Sequence, residues 1–161
     1  MPKVYVSIGS NEQRERNIRA GLDALTKVFG QLELSPVYET PAEGFDGDPF
    51  YNLVASFQTS LSVGALSETL KKIEADNGRR RDVPKFSSRT LDIDILTYDG
   101  AVGLVDGVEL PRDEIEKYAF VLGPLVDIAA QEKHPGLGVT FQEMWAQFPK
   151  EKKLMKRVSF S

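Results

Sequence analysis

The apolar positions of this chain change period several times, and each change marks an element. Val4-Tyr5-Val6-Ser7-Ile8 is a β-rich run closed by Gly9-Ser10-Asn11, a turn signal. From Asn17 to Phe29, the residues Ile18, Leu22, Leu25, Val28 and Phe29 fall near helical spacing, and Gly30 is placed to stop the helix. Leu32 to Tyr38 predicts a second strand. Thr40 to Pro49 holds Pro41, Gly44, Gly47 and Pro49 and predicts a long loop. Phe50 to Thr59 alternates as a third strand. Ser62 to Asn77 returns to helical spacing through Leu66, Leu70 and Ile73, and Gly78 ends it. Arg79 to Ser88 reads as a second polar loop, Thr90 to Tyr98 as a fourth strand, and Asp99-Gly100 as a turn. A short segment begins at Pro111, Phe120 to Ile128 is helical, Thr140 to Phe148 is a last short helix, and Lys150 to Arg157 is a basic, solvated tail.

This order predicts an α+β fold of ferredoxin-like type, a mainly antiparallel sheet with flanking helices, in a single domain over residues 1–161. Loops as long as the two in this chain are more often functional than idle in a compact domain.

Composition narrows the classes. With 41% hydrophobic and 27% charged residues the chain is globular and long enough to bury a core. It has no cysteine and one histidine, which excludes disulfides, thiolate metal sites and a multi-histidine zinc site, and suits a cytoplasmic setting. A net charge of −4 argues against broad nucleic-acid binding. No apolar stretch approaches the roughly 20 residues a membrane helix needs, and the first strand follows the N-terminus with no signal-peptide pattern.

The chemistry concentrates in Arg89-Thr90-Leu91-Asp92-Ile93-Asp94-Ile95-Leu96. On a strand, Asp92 and Asp94 share a face while Leu91, Ile93 and Ile95 point into a core. Two adjacent anions repel unless a cation lies between them, and a hard divalent cation such as Mg2+ brings phosphates and waters with it. Arg79, Arg80, Arg81, Lys85 and Arg89 lie just upstream as phosphate-sized cations, which points to phosphoryl transfer on a nucleotide. Each signal has an ordinary reading as well. The aspartates fit a solvated sheet face, and the arginine run fits a helix C-terminus that complements the dipole. Glu74 near the end of the second helix opposes that dipole and calls for a partner, such as Arg79 or Arg89. Phe45, Phe50 and Tyr51 fit a core by default, whereas a buried Asn52 suits a flat heterocycle with amide-like edges. His134 reads as a surface turn residue, and Trp145 as core or a partly exposed anchor.

These residues resemble the 6-hydroxymethyl-7,8-dihydropterin pyrophosphokinases of folate biosynthesis. The resemblance runs from Val4 to about Ile128. It rests on Ile8-Gly9-Ser10-Asn11, Tyr38-Glu39-Thr40-Pro41, Asn52, Ile73-Glu74 with Gly78-Arg79, and above all Arg89 to Ile95. It implies transfer of pyrophosphate from ATP to the pterin hydroxymethyl group with AMP as by-product, two Mg2+ ions, and the ferredoxin-like fold. Asp92 and Asp94 would bind the metals, and Arg79 and Arg89 the transferring phosphates. Thr40, Pro41, Phe50, Asn52 and Phe120 would line the pterin pocket. Glu74, Arg81, Phe86, Ile95 and Arg112 would serve the nucleotide side, with Glu74 orienting an arginine. The implied partners are a small pterin and ATP, with no nucleic acid and no membrane, and a monomer is expected.

The segment Pro111 to Phe120 departs from the family pattern, which has a Pro-His pair followed by Arg-x-Phe. Arg112 replaces the histidine and Tyr118 the arginine, while Phe120 is kept. Asp113, Glu114 and Glu116 add anions that would repel a triphosphate. One lost charge-assisted phosphate contact costs roughly 1.5–3 kcal/mol. The alternative is therefore a divergent paralogue that binds a pterin with weak, absent or altered nucleotide use. An RNA-binding ferredoxin-like module is a third reading, disfavoured by the acidic pair and the net charge.

Overall fold

In the structure, a computed structural model, residues 1–42, 47–77, 91–153 and 155–159 are described. The elements in chain order are β1 (Lys3–Ser10), α1 (Arg14–Phe29), β2 (Glu33–Leu34), β3 (Val37–Thr40), β4 (Phe50–Gln58), α2 (Val63–Asp76), β5 (Asp92–Tyr98), β6 (Gly103–Val105), β7 (Val108–Leu110), α3 (Glu114–Lys117), α4 (Ala119–Ala129), α5 (Phe141–Gln147) and β8 (Lys156–Val158). The main sheet runs β5-β1-β4-β3-β8, with β2 also on β4. Every pairing in it is antiparallel. Setting aside β2 and β8, this is the split β-α-β order of a ferredoxin-like sheet.

Strict alternation on the central strands divides the side chains between two cores. Val4, Val6 and Ile8 of β1, Ile93 and Ile95 of β5, and Phe57 of β4 meet Ile18 and Leu25 of α1 and Leu66, Leu70 and Ile73 of α2. On the other face, Tyr5, Val54 and Leu96 pack under Leu122 and Leu125 of α4 and Phe141 of α5. Leu96 reaches that second core through a register shift between β1 and β5. Helices thus cover both faces, and the sheet is not the open platform an RNA-stacking module uses. Tyr5 and Tyr38 tie this roof down by donating their hydroxyls to Glu132 and to Asp127.

Several elements depart from the sequence reading. Gly9 and Ser10 continue β1 instead of turning, in register with Asn52 and Tyr51 of β4. The strand expected over Leu32 to Tyr38 is broken at Ser35-Pro36, since proline has no N–H for the ladder. Ser35 repairs the break: its N–H donates to Val54 O and its Oγ accepts the Val54 N–H, both at 2.9 Å. Thr40, placed at the start of a loop, ends β3. The β6–β7 hairpin, turning at Asp106-Gly107, was not anticipated. The expected solvated tail supplies β8, which pairs Val158, Arg157 and Lys156 with β3. His134 is buried, and its Nδ1 accepts the N–H groups of Gly136 and Leu137 at 3.1 Å. By contrast, α2 starts at an N-cap where Ser62 accepts the Ala65 N–H, and α5 starts at a Thr140/Glu143 capping box. No helix among the described residues is long and apolar enough to cross a membrane.

Ser35→Ala would leave the buried Val54 N–H without an acceptor, at a cost of about 1–3 kcal/mol. Urea unfolding should show a lowered midpoint; an unchanged midpoint contradicts this role for the hydroxyl.

Candidate active site

Asp92 and Asp94 begin β5, the edge strand of the sheet, and share the face turned toward the Pro111–Arg112 turn and α3. The intervening Ile93 anchors them twice. Its side chain is buried against the helices of the first face, and its N–H donates to Glu74 Oε2 at 2.8 Å. Glu74 is itself 4% exposed on α2. The partner that a late-helix carboxylate calls for thus includes a backbone N–H of the aspartate strand. The arginines expected beside it, Arg79 and Arg89, lie outside the described residues, as do Arg81, Phe86 and Phe45.

Arg112 reaches the same place from the far side. Its N–H donates to Leu96 O, its Nε donates to Glu114 Oε1 at 3.0 Å, and its Nη2 stands 3.7 Å from Asp94 Oδ1. The anions that looked hostile to a triphosphate are partly neutralised: Glu114 by Arg112, and Asp113 by Lys117 at 2.9 Å. Burial, and then the charge of Asp92, push the Asp94 carboxyl up to about 8, opposed by Arg112.

Glu74, Asp92, Asp94, Ile95 and Arg112 line one cleft of about 630 Å3. Ile95 is mainly a core residue that reaches its wall. Ser67 and Lys71 of α2 and Val108 and Glu109 of β7 also line it, and the sequence reading missed them. The Asp106-Gly107 dipeptide was the available signal for the hairpin that brings the last two. Five acids and two bases line the described wall, so a polyphosphate needs further cations to enter.

The neighbouring corner of the sheet is polar and buried. One row across the strands reads Asp92, Gly9, Asn52, Tyr38. Asn52 Nδ2 donates to Thr40 Oγ1 at 2.7 Å, and both side chains are buried. A Cβ on Gly9 would lie 2.9 Å from Asn52 Oδ1, so glycine is what lets that amide lie flat between β3 and β1. A lone glycine inside a strand pattern was the signal for this close approach. Phe50 is half-buried, opposite Thr40 in the register, and Pro41 is exposed at the end of β3. The chain before Phe50 is braced twice. Asn11 donates to Asp48 O at 3.0 Å, and Arg14 bonds Glu39 and Pro49 O while covering the Tyr51 ring. Phe120, at the start of α4, stacks on Tyr118 with ring centroids 4.9 Å apart. Of the described candidates, the structure brings Glu74, Asp92, Asp94, Ile95 and Arg112 to one cleft, and Thr40, Phe50 and Asn52 to the next corner.

A sequence model of the 7,8-dihydro-6-hydroxymethylpterin-pyrophosphokinase family matches residues 5–130. The chain belongs to this family. The pyrophosphokinase of Pseudomonas aeruginosa is 36% identical over 154 residues, covering 92% of this chain and 93% of that protein. The pyrophosphokinase of Bacillus subtilis is 32% identical over 151 residues, covering 89% and 90%. Among solved structures, an HPPK-DHPS of Plasmodium falciparum superposes with a TM-score of 0.75 at 14% identity, which speaks for the fold alone. This chain covers 45% of that longer one. The Asp92-to-Ile95 strand, Asn52 and Thr40 all lie inside the matched stretch, as do Arg112 and Tyr118.

Burial and the charge of Asp92 raise the proton affinity of Asp94, so above the ordinary carboxylate range the folded chain binds more protons there than the unfolded chain does. The group therefore removes stability as pH rises above that range. Asp94→Asn lacks this loss. In EDTA, its melting temperature relative to the parent should climb from pH 5 to pH 8; a pH-independent difference contradicts the burial of this charge.

Proposed function

We propose that this chain transfers pyrophosphate from ATP to 6-hydroxymethyl-7,8-dihydropterin. The pterin hydroxyl oxygen attacks the β-phosphorus, the bridge to the α-phosphate breaks, AMP leaves, and the hydroxyl proton is released. The observation that carries this reading is the placement of Asp92, the first of the two acids, one glycine away from the buried Asn52 in a single row of the sheet, with Thr40 bonded to that amide. A phosphate-and-metal cleft and a site for a flat amide-edged ring thereby share a border.

Among the described residues no three His, Cys, Asp or Glu side chains are grouped to hold a metal by themselves. Two hard carboxylates on one face are the donor set Mg2+ accepts when substrate phosphates and waters complete its shell. The residues therefore fit Mg2+ delivered with ATP and held by Asp92 and Asp94. When bound there it neutralises phosphate charge and makes the pterin hydroxyl a better nucleophile. The chain's own work is positioning. Glu74 fixes the strand backbone between the two acids, and Arg112 adds a cation to the cleft wall. Asn52 and Thr40 offer hydrogen bonds to the ring edge, and Phe50 and Phe120 offer ring faces. Arg79, Arg81, Phe86 and Arg89 complete the nucleotide side in this reading. A cytoplasmic location fits a chain that has no cysteine.

AMP should appear from ATP only with the hydroxymethyl dihydropterin and Mg2+ both present. Asp92→Ala and Asp94→Ala should each lower turnover by at least about 10²-fold, the scale of one lost transition-state contact. Full activity in either variant removes the mechanism. Gly9→Ala, which drives a methyl group against Asn52, should raise the KM for pterin while leaving that for ATP near the parent value. A rise in the ATP constant alone contradicts the assignment of that corner.

A further inference from the structure

Arg112 is anchored at its backbone by Leu96 and at Nε by Glu114, while its Nη2 stands farther off, 3.7 Å from Asp94. The two acids hold the guanidinium differently. The Glu114 contact at 3.0 Å is a charge-assisted hydrogen bond, and the Asp94 contact is an ion pair beyond hydrogen-bond reach. The Glu114 carboxylate is also the more covered, at 19% exposure against 26%. A guanidinium is a rigid planar fork, so a hold on Nε sets where the Nη atoms point. Arg112 and a divalent cation compete for the charge of Asp94.

We propose that Glu114 is a positioning residue that grips Arg112 at Nε, so that a metal arriving at Asp94 frees only the far arm of the guanidinium, which then turns to the nucleotide phosphates. The phosphate step rests on the pyrophosphokinase reading; the competition at Asp94 does not. Without Glu114 the guanidinium is left with the aspartate pair, Asp94 at 3.7 Å with Asp92 beside it, and settles there. The neighbouring acids do not substitute: Asp113 is engaged by Lys117, and Glu116 is exposed on α3.

The test is a double-mutant cycle on Mn2+ affinity, read by electron paramagnetic resonance on the full chain without nucleotide. Arg112→Ala should bind Mn2+ roughly 2- to 5-fold more tightly, and Glu114→Gln more weakly by a similar factor, the scale of one partly exposed charge contact. In the Arg112→Ala background, Glu114→Gln should change the affinity little, because its effect passes through the arginine. Equal weakening in both backgrounds would show Glu114 acting as a bare charge and overturn the proposal, as would unchanged affinity in Arg112→Ala. With Mg2+ present, a non-hydrolysable ATP analogue should lose affinity on Glu114→Gln only when Arg112 is intact; equal loss in both backgrounds also overturns it. Melting curves establish that each variant is folded, and Arg112→Gln takes the place of an Arg112→Ala that is not. Failure of the parent to release AMP would count against the pyrophosphokinase reading while leaving the metal cycle interpretable.

Discussion

Two carboxylates on the same face of an edge strand repel each other, and much of this molecule is arranged to keep them there. Asp92 and Asp94 cannot separate, because the strand pleat fixes their spacing and Ile93 is pinned between them by the core on one side and Glu74 on the other. They are only half open to water, since β7, Arg112 and α2 build walls around them. The cost is visible in the raised proton affinity of Asp94. A charged pair held in this way is a standing demand for cations, and Arg112 answers part of it from within the chain.

The remaining demand explains how the two halves of the site fit together. The described cleft is net acidic, so phosphate enters only with positive charge beside it. The adjoining corner carries the opposite character: neutral, buried and hydrogen-bonding, with Asn52 and Thr40 already paired. Gly9 is the border between them. Its missing side chain lets one strand carry an acidic neighbour, Asp92, and a neutral amide neighbour, Asn52, in a single row.

Much of this was legible in the sequence because it depends on local periodicity. The D-x-D strand, the helix from Ser62 to Asn77 and the strand holding Asn52 each announce themselves in their own periodicity, and the two-face sheet follows from alternation. What escaped was set by long-range pairing. Gly9-Ser10 looks like a turn until β4 and β5 are brought to either side of it. Lys156–Val158 looks like a tail until β3 offers an open edge. Glu114 looked like a repulsive anion because its partner, Arg112, was read as a phosphate ligand alone. His134 lies beside Pro135 and Gly136, the usual company of a surface turn, yet its ring serves as the acceptor that closes its own loop.

In the proposed function the Asp92/Asp94 pair is completed by metal and phosphate together, and not by protein ligands alone. Calorimetric titration of Mg2+ into the chain, with and without a non-hydrolysable ATP analogue, tests it most directly. Mg2+ alone should bind weakly and markedly more tightly with the analogue, a gain lost in Asp94→Ala. Tight binding of Mg2+ that is indifferent to the analogue would contradict it.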